Sequence, residues 1–338
     1  MTKQRLDYID LAKGLCILCV ILHHCYVEID VKWLADPYFG MFRMPLYFCL
    51  SGAFFKDYDG FFDFFRRKTN KLLIPFVSFF LATSVLYPLV LIHEFNYDWK
   101  VTDFSLFYSW IVDRTTLYNG SLWFLLCLFE MNVFFYGLHY LSKRTQNPSI
   151  CLLLACCLLG MIGFVAHKLK VVIPFYLDTS LTSMPFFGMG YFLFRHTLVF
   201  QPNVKFDRYL MPMSILLLSV PLFLQGRGDY YSNNIGSFQA TYLSGLCGTL
   251  GILALAKRIG YIYGISYLGL YSIVSVCINS VVLHTIGPFV DSLSVPTAIK
   301  TFILFLPTFI FCIACIPLFR QFIPKFIAQQ DFWTSSKS

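Results

Sequence analysis

The chain has 338 residues, of which 57% are hydrophobic and only 13% charged, about half the charge of an ordinary soluble domain. Its mean hydropathy of +0.66 is spread along the whole length, which excludes a soluble enzyme with one anchor, a disordered chain and a disulfide-stapled secreted module. The formal net charge of +8 forms no basic stripe, so nucleic acid is not an expected partner, and a bias toward one membrane face accounts for it.

A helical span needs about 20 mostly apolar residues, because backbone groups in lipid must satisfy one another. Ten such segments are predicted, at 10–28, 38–55, 72–93, 121–141, 149–167, 172–194, 209–225, 237–256, 262–286 and 297–319. They are too long and unbroken for barrel strands. The expected fold is an all-α membrane protein, a bundle of about ten transmembrane helices in a lipid bilayer. Residues 1–320 read as a single transmembrane domain and 321–338 as a short polar tail expected to fray. Lys and Arg concentrate before the first span, around 56–71, at 143–144, 195–208 and 257–258, and after 320. That alternation puts both termini in the cytoplasm.

In chain order, Arg5, Asp10 and Lys13 precede and open the first span. His24 lies about 14 residues further on, roughly 21 Å up the helix and past the midplane. An intramembrane imidazole suits proton transfer from a hydroxyl, with bundle-stabilising polarity as the alternative. His23 points about 100° away and serves as the structural neighbour. Arg43, early in the descending second span, approaches the depth of His24 and could fix an acceptor or stabilise an oxyanion. Arg66, Arg67, Lys68 and Lys71 crowd the entry to the third span. They form a positive rim suited to an anionic donor, or plain charge retention at the inner face. The loop at about 94–120, with Glu94, Asp98, Asp103 and Asp113, reads as a re-entrant lid or a solvated connector. Glu130, in the fourth span, is a candidate counter-ion or orienter for His24 or Arg43. The 12 cysteines fall mostly within spans, where they act as small hydrophobes. Cys16/Cys19 and Cys312/Cys315 have metal-like spacing, but nothing brings the pairs together, and no metal is expected.

Arg5-Leu-Asp-Tyr-Ile-Asp10-Leu-Ala-Lys13-Gly14, running on to His24, resembles the opening of the acyltransferase family 3 membrane proteins. Phe42-Arg43-Met-Pro45-Leu-Tyr-Phe-Cys-Leu-Ser51-Gly52 resembles the family's second-helix signature, and Arg67-Lys-Thr-Asn-Lys71-Leu-Leu-Ile-Pro75 its basic loop. Gly120-Ser-Leu-Trp123-Phe124-Leu and Pro185-Phe-Phe-Gly188-Met-Gly190-Tyr191 match further elements in order. The Asp-Leu-Ala-Lys-Gly form is most similar to the fucose 4-O-acetylase-like branch.

The resemblance implies transfer of an acyl group, usually acetyl from cytoplasmic acetyl-CoA, to a hydroxyl of an extracytoplasmic or lipid-linked glycan. The setting is then the bacterial inner membrane, with a homodimer allowed. His24 would be the catalytic base or transient acyl carrier, with Arg43 supplied by the second motif. Arg5, Asp10, Lys13, Arg66, Arg67 and Lys71 would receive the CoA phosphates, and Ser51, Trp123 and Phe124 the substrate. Lys13 stands where many relatives carry Arg, which keeps the charge and loses the bidentate geometry. Asn279 stands where many carry His, and His284 lies just over one turn further on. A transporter or flippase for lipid-linked saccharides is the competing reading, since intramembrane His, Arg and Glu also mark polar pathways. A structural subunit of an export complex is the third.

Overall fold

Lipid-compatible segments fold as helices because a helix satisfies its own backbone, and the computed structural model follows that rule over the residues it describes, 6–30, 36–95, 119–196, 207–224 and 228–334. Its helices are α1 (Asp7–Glu28), α2 (Asp36–Ala53), α3 (Phe61–Lys68), α4 (Ile74–Phe95), α5 (Trp123–Ser142), α6 (Pro148–Lys168), α7 (Leu177–His196), α8 (Leu210–Leu224), α9 (Phe238–Ile259), α10 (Tyr263–Leu270), α11 (Ser272–Asp291) and α12 (Thr297–Phe322). A π-helical turn, Thr69–Leu73, joins α3 to α4. One antiparallel ribbon pairs Gly228 with Ile235 and Asp229 with Asn234.

Among the described residues, six helices are long and apolar enough to cross a membrane, namely α1, α5 with its preceding turn, α6, α9, α11 and α12. The other expected spans fall on α2, α4, α7 and the 15-residue α8. This is an all-α membrane protein. The ninth predicted span is not one helix: Tyr271, at φ −107 and ψ 32, divides it into α10 and α11. Both halves are apolar, so hydropathy gives no sign of the break. The expected lid is outside the description over residues 96–118.

α1 sits at the centre, against α2, α9, α10, α11 and α12. Its contact with α10 depends on small residues, because a Cβ at Gly14 would run into the Ile265 carbonyl and one at Gly269 into the Asp10 carbonyl. The α2/α7 contact is built the same way, with Gly52 on the Phe187 carbonyl and Gly190 on the Cys49 carbonyl. Without a hydrophobic force between helices in lipid, such close backbone approach is what holds them. α6 turns Leu154, Leu158, Met161 and Val165 outward.

The tail does not fray over its described part. After α12 the chain buries Ile327 and returns to the π-helical turn, where Asn70 is 1% exposed. Asn70 accepts from the Phe332 and Trp333 N–H groups at 3.1 and 2.7 Å and donates to the Trp333 carbonyl at 2.8 Å.

Candidate active site

Two of the cavities among the described residues are lined by residues expected at the site. One, about 390 Å³, is lined by α1, α2, α11, the turn Gly120–Leu122, the start of α5 and the 228–235 ribbon. His24 and Arg43 both stand on its wall, with Trp123 and Phe124 beside them. The structure thus brings together the histidine and arginine singled out from opposite spans, and Arg43 is 8% exposed. His24 Nε2 is 3.0 Å from Ser121 Oγ, which also contacts Asn279 Oδ1 at 2.8 Å and Ser280 Oγ at 2.7 Å. Glu28 of α1 and His284 of α11 meet at 2.6 Å on the same cavity wall.

The second cavity, about 270 Å³, is lined by Lys13, Ser51, Lys68 and Lys71. Tyr47, Phe124 and Val276 are walls of both cavities. Tyr47 is anchored by its hydroxyl, which donates to the Lys13 carbonyl at 3.0 Å. Burial, with the neighbouring Lys71 ammonium, lowers the Lys68 pKa to about 7. The Lys68 ammonium lies 5.7 Å over the Phe64 ring. An anion entering this cavity would meet three lysines and restore full charge on Lys68.

Other expected residues are placed elsewhere. Arg66 and Arg67 bind Asp63 at 2.7 and 2.8 Å, and Arg66 also reaches the Trp333 carbonyl at 3.0 Å. The two guanidiniums hold the Asp63 carboxyl below the usual carboxylate range. Neither arginine lines the lysine cavity, so they brace the α3 elbow. Asp10 is buried where α1 meets α10. Glu130 accepts from Ser180 at 2.7 Å and lines neither cavity. Ser51, expected with the substrate, lines the lysine cavity instead of the His24 cavity and accepts from Asn132 at 3.3 Å. Arg5 lies outside the described residues.

Sequence reasoning missed Ser121, Ser280 and the wall residue Tyr47, and it did not foresee the ribbon. Ser121 and Tyr47 lie inside motifs whose neighbouring residues carry the resemblance, and only three-dimensional proximity gives them a role. Among known families, one described as an acyltransferase domain matches residues 6–317. No curated protein and no solved structure matches the chain.

Proposed function

The chain belongs to acyltransferase family 3, and we propose that it moves an acetyl or short acyl group from cytoplasmic acyl-CoA to a hydroxyl of an extracytoplasmic or lipid-linked glycan. The observation that carries this reading is the pair of cavities separated by Tyr47, Phe124 and Val276, one with three lysines and the other with His24 and Arg43. A phosphate-bearing donor suits the first and a neutral hydroxyl acceptor the second. Along α1, Lys13 and His24 are eleven residues apart, about 16 Å, which an extended pantetheine arm can span.

In this scheme the CoA phosphates bind Lys13, Lys68 and Lys71, and the pantetheine passes the shared wall so that the thioester stands beside His24. His24 accepts the proton of the acceptor hydroxyl as its oxygen attacks the thioester carbon. Arg43 stabilises the charge that develops on the carbonyl oxygen. The C–S bond breaks, the thiolate takes the proton back from His24, and the ester and free CoA leave. Atoms and charge balance without a further reactant. Acyl-histidine transfer is the two-step variant of the same site.

The test is transfer of label from acetyl-CoA into glycan by membrane vesicles containing the protein. His24→Ala is expected to abolish transfer while the protein stays folded and inserted. Retained transfer in that variant would overturn the reading.

A further inference from the structure

Ser121 has too many partners for one hydroxyl. Its Oγ meets His24 Nε2, Asn279 Oδ1 and Ser280 Oγ, and Ser280 Oγ also meets Asn279 Oδ1 at 3.1 Å. The orientation of the Asn279 amide is fixed, because its Nδ2 donates to the Ser275 carbonyl at 2.8 Å. Oδ1 is therefore an acceptor only. The turn that carries Ser121 is likewise fastened to α11, with Asn119 Nδ2 donating to the Cys277 carbonyl at 2.7 Å.

The proton count then discriminates between the two neutral forms of His24. Four contacts connect the imidazole, two hydroxyls and one amide oxygen, and the hydroxyls supply one proton each. If Nε2 carried the lone pair, Ser121 would spend its proton on the ring. Its oxygen would then face Asn279 Oδ1 with no proton between them. If Nε2 carries the hydrogen, it donates to Ser121, and Ser121 passes its own proton to Asn279 or Ser280. Ser121, Asn279 and Ser280 each then have a partner, as burial demands: Ser121 is 4%, Asn279 0% and Ser280 3% exposed.

We propose that Ser121 and Asn279, with Ser280, are positioning residues that hold neutral His24 as its Nε2–H tautomer, so that Nδ1 is the nitrogen that takes the acceptor proton. The orientation of a histidine and the choice of its basic nitrogen are set by the hydrogen bond its other nitrogen makes. Ser121 on this account is not a nucleophile, since its proton points away from the imidazole. The step on Nδ1 rests on the role proposed for His24 above, whereas the tautomer itself does not.

The experiment has two readouts. The first is ¹⁵N NMR of histidine-labelled protein in bilayers, with the His24 signals assigned by comparison with His24→Gln. Wild type should show a protonated Nε2 and a bare Nδ1. The double variant Asn279→Leu/Ser280→Ala removes both other acceptors, frees the Ser121 proton for the ring and should invert the tautomer. A bare Nε2 in wild type overturns the proposal whatever the enzyme does. The second readout is label transfer: Ser121→Ala should lower kcat about ten- to hundredfold with little change in KM for either substrate, and Ser121→Thr should recover most of it. Unchanged kcat in Ser121→Ala, or acyl label mapped to the Ser121 side chain of wild type, also overturns it. If His24→Ala stays active while the tautomer is as stated, the base reading has failed and the tautomer assignment stands.

Discussion

Asn70 ties the C-terminal tail to the elbow that carries two of the three cavity lysines, and its removal tests whether that tie matters. Asn70→Ala deletes three hydrogen bonds to the backbone of Phe332 and Trp333. At about 1 kcal/mol net each, they contribute about 3 kcal/mol to docking of the tail. That is about a hundredfold in the ratio of docked to free tail. Arg66→Ala is the companion: its bonds to Asp331 and the Trp333 carbonyl are exposed, and such pairs contribute about 1 kcal/mol or less. Tryptic cleavage after Lys325 in detergent reads the free population, because proteolysis follows local opening. The expected order of rates is wild type, Arg66→Ala, then Asn70→Ala well above both. In the same preparations the KM for acetyl-CoA should rise by the factor through which the competent fraction falls. Equal cleavage rates in Asn70→Ala and wild type would refute the reasoning.

The donor site should depend on pH through Lys68. Its pKa is lowered to about 7, so its charge is present below that pH and lost above it, with Lys13 and Lys71 facing the same cavity. The KM for acetyl-CoA is therefore expected to rise across about pH 6 to 8, and Lys68→Arg, charged throughout, should flatten the curve; an unchanged curve in that variant would take Lys68 out of the donor site. Tyr47→Ala is expected to join the two cavities and admit water to the thioester, seen as acetyl-CoA hydrolysis without acceptor, whereas Tyr47→Phe keeps the ring and should not hydrolyse. Folded Tyr47→Ala with no added hydrolysis would show that Tyr47 is not the barrier.

The spans were legible because hydropathy and length decide them, and His24 and Arg43 because an ionisable group in lipid is conspicuous wherever it sits. Less could be read where the signal is shared between meanings. Arg66 and Arg67 look like phosphate ligands in a basic string, yet Asp63 stands three and four residues before them on one helical face and takes both. Lys68 and Lys71 carry the same charge in the same string and reach the cavity. Composition cannot separate the two pairs, whereas the α3 face and the π-helical turn can. Ser121 gave no sign because serine is ordinary near a helix start. Its importance comes from α11, more than 150 residues away in the chain. The tail's polarity suggests solvent, while its attachment runs through the backbone groups of Phe332 and Trp333, which no side-chain pattern reports.

The spacing from Lys13 to His24 has a geometric reason. Eleven residues at 100° each return to within about 20° of the starting direction after three turns, so both side chains lie on one stripe of α1. The same stripe carries Ile17, Val20 and Val27 on the wall of the His24 cavity. Gly14 lies off it and meets α10 through the Ile265 carbonyl. One helix therefore separates its duties by angle, holding the bundle together on one side and lining both cavities on the other. Its length sets how far apart the two chemistries stand. On the function proposed above, a donor whose phosphates bind at Lys13 must reach His24 through a flexible arm of that length, as a thioester on a pantetheine arm does and a rigid nucleotide does not.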